Sequence, residues 1–211
     1  QLLPTTYPPP SAAAWRVGLL LPSAFLCAPH SVRSNCCIAT FFTVPNMEGE
    51  DPESPRRSRK DDFEMLGRLG SGSYGVVYKV LRKIDQQEYV MKSVRIAELG
   101  AQEQDEAINE VKLLASLDNQ HVVRYYDSFV EKGTLYIVME FCNQGDLQRM
   151  IRRYKERGEK SLPEKRIWSI FIQIVLGLHY IHGRRVLHRD MKSANVFLSK
   201  QGGGGGGGGE G

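Results

Sequence analysis

Eight residues between two apolar segments constrain this chain more than any other feature of its sequence. Residues 163–182 are mostly apolar and predict a long helix, which Gly183 ends. The string His-Arg-Asp-Met-Lys-Ser-Ala-Asn follows at residues 188–195, and residues 196–198 have the apolar pattern of a strand. The chain is therefore expected to present a charged loop between a helix and a strand.

The polar residues of this loop have the types and the spacing that phosphoryl transfer needs. Asp190 can accept or orient the proton of an attacking hydroxyl, and Lys192 can reach a transferring γ-phosphate. Asn195 can bind Mg²⁺ through its side-chain oxygen. We therefore predict Asp190, Lys192 and Asn195 as catalytic residues, with Asn195 also a metal ligand. His188 is expected to support the loop rather than to take part in the chemistry.

A glycine-rich segment with the spacing G-x-G-x-x-G-x-V begins at Gly70 and continues through Gly72, Gly75 and Val77. Dinucleotide-binding folds use the same glycine spacing, but they need a helix directly after it. Here β-branched and aromatic residues follow, which predicts a hairpin of two strands. Its glycines would let the backbone close over a polyphosphate, and Val77 could cover an adenine ring. An ordinary glycine-rich hairpin is the open alternative for this motif alone.

A lysine and a glutamate downstream form a second candidate pair. Residues 88–94 alternate in a strand pattern around Lys92, and a lysine that faces a cleft can bind α- and β-phosphates. Residues 103–117 predict a helix in which Glu110 falls on the apolar arc that faces the core. A carboxylate there is costly unless it is paired, and Lys92 is its natural partner. The open alternative is a Glu110 carboxylate that reaches water from the edge of that arc.

Composition divides the chain into segments of different character. Residues 1–46 contain no Asp or Glu, and we interpret them as a non-domain segment, either translated upstream sequence or a transit peptide. Residues 47–60 are predicted to be a charged linker, and residues 61–200 a folded domain. Residues 201–211 include eight consecutive glycines and are predicted to be a flexible tail.

Charge and hydropathy argue against two classes of partner. The net charge of +4 is too small to indicate nucleic-acid binding. No apolar run reaches the roughly 18–20 residues that span a bilayer. We therefore expect no nucleic-acid and no membrane partner. Cys142 is the one cysteine of the predicted domain, which favours a reduced, cytoplasmic protein over an organelle-targeted one.

With these motifs in place, residues 63–199 resemble a eukaryotic-type protein kinase, and more closely a NIMA-related serine/threonine kinase. The matching positions are Gly70, Gly72, Gly75, Val77, Lys92, Glu110, His188, Arg189, Asp190, Lys192 and Asn195. Residues 109–114, 123–129, 134–140 and 194–198 carry the similarity to the NIMA-related group. The resemblance implies an α+β, protein kinase-like fold. Its N-lobe, an antiparallel sheet with the αC helix, would be complete, and its helical C-lobe partial.

The resemblance also implies ATP and Mg²⁺ as cofactors, and Ser or Thr hydroxyls of proteins as acceptors, as for a non-specific serine/threonine protein kinase. Lys192 is the residue that serine/threonine kinases place in this loop. Besides the glycines, Lys92 and Glu110, the implied nucleotide contacts are Leu69, Val77, Val90, the gatekeeper Met139, the hinge residues Glu140 and Cys142, Asp146 near the ribose, and Phe197 at the pocket floor.

The chain departs from the kinase pattern after the catalytic loop. The family carries Asp-Phe-Gly about a dozen residues beyond the loop Asn, and here the glycine run stands in that region. We therefore expect the 211-residue chain to be a fragment that is inactive by itself. A non-catalytic module that binds a nucleotide or a partner is the alternative. Cytoskeletal or ciliary partners, and a centrosomal or ciliary location, are implied by the resemblance alone.

Overall fold

The computed structural model describes residues 15–21, 58–72 and 75–200. The glycine tail, residues 47–57 of the linker, and residues 1–14 and 22–46 of the non-domain segment lie outside the described residues. The predictions made for those parts of the chain stay predictions.

A five-stranded antiparallel sheet forms the upper half of the fold. Its strands are β2 (Phe63–Gly72), β3 (Gly75–Arg82), β4 (Gln87–Arg95), β5 (Tyr125–Glu131) and β6 (Thr134–Glu140), in the order β2-β3-β4-β6-β5. The period-2 pattern of β6 separates its two faces. Ile137 and Met139 belong to one buried cluster, and Val138, between them, belongs to another.

Helix α1 (Ala101–Ala115) covers one face of this sheet. It begins and ends two residues earlier than the sequence predicts, and the Glu103 carboxylate accepts a hydrogen bond from the Gly100 N–H at its start. Ala107 and Val111 are buried in the cluster that contains Ile137 and Met139. The apolar arc predicted for this helix is therefore the face that packs on the sheet.

Two helices and a two-stranded sheet form the lower half. Helix α2 (Leu147–Glu156) begins at Asp146, whose carboxylate accepts a hydrogen bond from the Arg149 N–H at 2.7 Å. Helix α3 (Glu164–Gly183) is the long apolar helix that the sequence predicts. The α+β fold class, with an antiparallel upper sheet and helices below it, is confirmed.

Strand β1 (Trp15–Leu19) lies inside this lower half, although the acid-poor composition of residues 1–46 predicts a non-domain segment. It pairs antiparallel with β7 (Val196–Lys200), with Leu19 opposite Val196 and Trp15 opposite Lys200. Val17 and Leu19 have no exposed surface and pack in one cluster with β7, α2 and α3. The alternation of Val17, Leu19 and Leu21 is the signal for a strand, and the acid-poor composition of the whole segment conceals it.

Hydrogen bonds attach β1 to α3 and to the loop before β5. The Gln173 side chain bonds the Trp15 carbonyl and the Val17 N–H, each at 2.9 Å. Leu19 donates to the His121 carbonyl at 2.9 Å and accepts from the Val123 N–H at 3.0 Å. Strand β1 is therefore held on three sides, by β7, by α3 and by this loop.

A glycine on α3 permits the close approach of β1. A Cβ atom on Gly177 would lie 2.8 Å from both the His121 carbonyl oxygen and the Leu19 Cδ1 atom. A larger side chain would therefore separate α3 from the strand.

The opposite face of α3 is apolar and open. Its exposed side chains are Ile167, Trp168, Phe171, Ile172, Val175 and Leu176. No helix among the described residues has the length and apolar character needed to cross a membrane.

Candidate active site

A cleft of about 520 Å³ lies between the five-stranded sheet and the lower half of the fold. This volume falls within the ~300–1,000 Å³ that is typical of small-molecule sites. Every predicted nucleotide contact except Gly72 lines the cleft: Leu69, Gly70, Gly75, Val77, Val90, Lys92, Glu110, Met139, Glu140, Cys142, Asp146 and Phe197. The structure thus brings together residues that are spread over more than half of the chain, and their roles in binding stay predictions.

The roof of the cleft is the glycine-rich hairpin. Strands β2 and β3 pair antiparallel, with Gly72 opposite Gly75, so the predicted hairpin is confirmed. Gly75 has φ = 125°, and a Cβ atom there would lie 1.9 Å from the Ser93 carbonyl oxygen. Only glycine fits this position without a shift of the backbone. Gly70 has open space on its Cβ side, with no described atom within 4 Å.

Lys92 and Glu110 lie at the inner end of the cleft. Lys92 stands on β4 between Val77 of β3 and Ile137 of β6. Glu110 is 7% exposed, and its Oε2 atom has no hydrogen-bond partner among the described residues. The open alternative of a Glu110 carboxylate that reaches water is therefore wrong for this structure.

The charges of Lys92 and Glu110 act on each other. Burial lowers the pKa of Lys92, and the Glu110 charge opposes that change. Burial likewise raises the pKa of Glu110, and the Lys92 charge opposes it. Each group therefore stabilises the charged form of the other where water does so poorly.

The edge of the cleft is the segment between β6 and α2. The Glu140 carboxylate forms an ion pair with Arg16 and accepts from the Arg124 N–H at 3.3 Å. Cys142 is buried, and burial raises the pKa of its thiol to about 11, so the thiol stays protonated at neutral pH. Asp146 caps α2 with its carboxylate, so a contact to a ribose would have to share that group.

The three predicted catalytic residues contact one another below the cleft. The Lys192 ammonium lies 2.7 Å from the Asp190 carboxylate. The Asn195 amide donates to the same carboxylate at 3.0 Å and to the Asp190 carbonyl at 2.8 Å. The bond from Lys192, followed by that from Asn195, lowers the pKa of Asp190, so this carboxylate is charged at neutral pH. None of the three side chains lines the cleft.

His188 connects this loop to Leu20, the residue directly after β1, which agrees with the supporting role expected for His188. The side chain is 2% exposed, and its Nε2 atom lies 2.9 Å from the Leu20 carbonyl oxygen. Its Nδ1 atom lies 3.4 Å from the backbone nitrogen of Asp190. These contacts suit a neutral imidazole that donates from Nε2 and accepts at Nδ1.

We expect the chain to lose thermal stability as the pH falls below about 6.5. Burial lowers the pKa values of His188 and His121, so the folded state resists protonation while the unfolded state takes up protons near the ordinary histidine pKa. The stabilisation is present above that value and is lost as the pH falls through the lowered values. Melting temperatures between pH 7.5 and 5 would measure the loss, and His188→Gln should reduce its slope. An identical slope in wild type and variant would contradict the role given to His188.

The donor set around Asn195, the predicted metal ligand, is a poor one for a Mg²⁺ ion, and the role of Asn195 as a ligand stays a prediction. Mg²⁺ needs oxygen ligands, usually one or two carboxylates besides phosphate and water. The carboxylate next to Asn195 is that of Asp190, and it already binds the Lys192 ammonium. The described residues contain no group of three or more His, Cys, Asp and Glu side chains that could hold a metal ion.

Sequence reasoning missed two residues of the cleft wall, Leu20 and Leu21, which follow β1. They belong to the segment that the composition excludes from the domain, and no local motif links them to a site more than 40 residues away. Arg149 and Arg153 at the mouth of the cleft were also missed. They stand one helical turn apart on α2, and this spacing could have indicated a shared face.

Comparison with known proteins agrees with this architecture. Residues 63–203 match the family model described as "Protein kinase domain". The chain is 41% identical over 139 residues to "Probable serine/threonine-protein kinase nek3" of Dictyostelium discoideum, covering 66% of this chain and 12% of that protein. It is 39% identical over 142 residues to "Serine/threonine-protein kinase Nek5" of Homo sapiens, covering 67% of this chain and 20% of that protein. For "Serine/threonine-protein kinase Nek11" of Homo sapiens the identity is 43% over 139 residues, covering 64% of this chain and 21% of that protein. The chain thus spans about a fifth or less of the length of these relatives.

Proposed function

Because this chain belongs to the protein kinase family and is similar to its NIMA-related serine/threonine members, we propose that its cleft binds ATP for phosphoryl transfer to protein hydroxyls. The acceptors would be Ser or Thr side chains, and the transfer would be an activity of the whole protein. We further propose a cytoplasmic location, with cytoskeletal or ciliary partners as the family similarity suggests.

One observation carries the proposal of ATP binding. A single cleft joins a glycine hairpin, a buried lysine with its carboxylate, and apolar walls. Val77, Val90, Met139 and Phe197 offer surfaces between which a planar base can be sandwiched. Lys92 offers a positive charge at the inner end, where phosphates would lie. A polar ligand with an aromatic base at one end and negative charge at the other matches this arrangement.

Different residues of the chain would have different roles in phosphoryl transfer. Lys92 would bind phosphate oxygens, and Glu110 would hold its ammonium in place. Asp190, charged and fixed by Lys192 and Asn195, would orient the acceptor hydroxyl and take up its proton. Bound ATP would supply the transferable phosphoryl group.

We also propose that the 211 residues bind ATP without completing the transfer. The catalytic side chains lie outside the cleft, and the 211 residues contain no Asp-Phe-Gly triplet. A non-catalytic nucleotide-binding module is therefore the second candidate for this chain, and the position of Leu20 and Leu21 favours it. Incubation of the chain with radiolabelled ATP and a Ser/Thr-rich protein separates the two. Phosphate incorporation that is lost in Asp190→Asn would support catalysis by the chain itself.

Replacement of Lys92 by Met is expected to weaken ATP binding roughly 10- to 100-fold. The reason is the loss of a charge-assisted contact that contributes about 1.5–3 kcal/mol, and each 1.4 kcal/mol is tenfold in Kd. Isothermal titration of the full chain, in buffers with Mg²⁺ and with EDTA, gives the affinities. Lys112→Met is the matched control, because Lys112 is exposed on the outer face of α1. Equal ATP affinity of Lys92→Met and wild type would refute the proposed phosphate site.

A further inference from the structure

The segment that follows β1 lies between the cleft and the catalytic loop. The Leu20 N–H donates to the Asn195 carbonyl at 3.0 Å, and the Leu20 carbonyl oxygen lies 2.9 Å from His188 Nε2. The backbone of Leu20 therefore contacts the catalytic loop through both its N–H and its carbonyl group. Its side chain points the other way, lines the cleft and packs against the cluster beneath α1.

Leu20 and Leu21 together form one wall of the cleft, the leucine wall, and this wall is a fixed part of the fold. Val17 and Leu19, directly before it, have no exposed surface, and β1 pairs with β7 over its whole length. Leu21, directly after Leu20, is 7% exposed and packs in a second cluster with Val122 and Ile181. To move Leu20 away from the cleft, these buried side chains would have to leave their clusters. We therefore expect this wall to stay in place when a ligand binds.

Each carboxylate that lines the cleft already has a cation or an N–H donor beside it, although the Glu110 Oε2 atom accepts no hydrogen bond from the described residues. Glu110 interacts with the Lys92 charge, Glu140 with Arg16 and Asp146 with the start of α2. At the side of the cleft that faces the catalytic loop, the lining is the apolar pair Leu20 and Leu21. A divalent cation would find hydrocarbon there in place of the oxygen ligands that it requires.

The lining also carries three cations, as many as its carboxylates, and these cations can bind an anion that has kept its full charge. Lys92 lies at the inner end, and Arg149 and Arg153 lie at the mouth. An ATP molecule without Mg²⁺ carries two more negative charges than its magnesium complex, so each of these cations attracts it more strongly.

We propose that the cleft binds an adenine nucleotide as the metal-free anion, and that Leu20 and Leu21 exclude the divalent cation. This inference rests on the proposed binding of ATP. In this proposal Leu20 and Leu21 select ATP without Mg²⁺ over its magnesium complex. These two residues lie outside the sequence motifs and outside the family match at residues 63–203.

The test is isothermal titration of the full chain with ATP at matched ionic strength, once with excess Mg²⁺ and once with EDTA. We expect the Kd in EDTA to equal, or to be lower than, the Kd in Mg²⁺. Binding that is measurably tighter with Mg²⁺ than with EDTA would overturn the inference and leave the proposed ATP site intact. Absence of binding in both buffers would overturn the proposed function, and the inference with it.

A variant tests whether the leucine wall is the cause. Leu20→Asp places a carboxylate at the wall, so we expect weaker binding in EDTA and at least a tenfold gain on addition of Mg²⁺. Circular dichroism melting verifies that the variant folds. If it does not, Leu20→Asn supplies an oxygen ligand without the charge and is expected to gain Mg²⁺ dependence as well. A folded variant whose binding is as independent of Mg²⁺ as that of the wild type would refute the assignment to Leu20.

Discussion

Replacement of Leu19 by Asp is expected to unfold the chain or to leave it without a cooperative transition. Leu19 has no exposed surface and packs in the cluster of β1, β7, α2 and α3. Loss of a buried leucine costs about 2–5 kcal/mol, and an unpaired buried charge adds several more. The sum is comparable with the roughly 5–15 kcal/mol by which a domain is stable. Urea unfolding followed by circular dichroism measures the change.

Ile84→Asp is the control for this prediction. Ile84 lies in the turn between β3 and β4 and is 88% exposed, so the same charge there should change stability by no more than about 0.5 kcal/mol. If Leu19→Asp unfolds at the wild-type urea concentration, β1 does not dock in solution as it does in the structure. That result would also remove the basis of the leucine wall.

Replacement of Gly75 by Ala is expected to cost about 2–4 kcal/mol and to weaken ATP binding at the same time. The backbone at Gly75 has φ = 125°, where a side chain is strained by about 1–3 kcal/mol, and the new Cβ would collide with the Ser93 carbonyl oxygen. Strand β3 would have to move away from β4, and the roof of the cleft would move with it. Urea unfolding and ATP titration of the same preparation record both effects.

Gly67→Ala is the matched control in the same hairpin. A Cβ atom at Gly67 would meet no described atom within 4 Å, and its φ lies outside the positive region, so stability and ATP affinity should stay close to wild type. If Gly75→Ala is as stable as Gly67→Ala, the hairpin does not have the conformation described.

Local patterns predicted residues that line the cleft because these residues lie in short segments with a clear spacing or periodicity. The glycine spacing and the β-branched residues after it place a hairpin without knowledge of the rest of the fold. The helical arc places Glu110 on the buried face of α1, and the structure finds it there, 7% exposed. Both arguments need only the geometry of a single strand or helix.

These local patterns could not predict contacts between segments that are far apart in the sequence. Strand β1 was missed because the acid-poor composition of residues 1–46 conceals its short alternation, and because nothing in the local sequence names the distant strand β7 as its partner. Asp190, Lys192 and Asn195 were expected to act at the nucleotide site, but they are not part of the cleft lining, and the path of Leu20 and Leu21 runs between the cleft and their loop. That path depends on packing against α3 and the loop before β5, which no spacing in the sequence encodes.

The pairing of β1 with β7 also sets the order in which the chain can fold during synthesis. Residue 15 leaves the ribosome about 185 residues before its partner, residue 200. At about 5–20 residues per second this delay is roughly 10–40 s. During that time Val17 and Leu19 do not have β7 to pair with, and α3, which packs against them, is the last of the described α-helices to be made. Among the described strands, β1 would thus be the first to be made and the last to pair, and its apolar side chains stay uncovered in the interval.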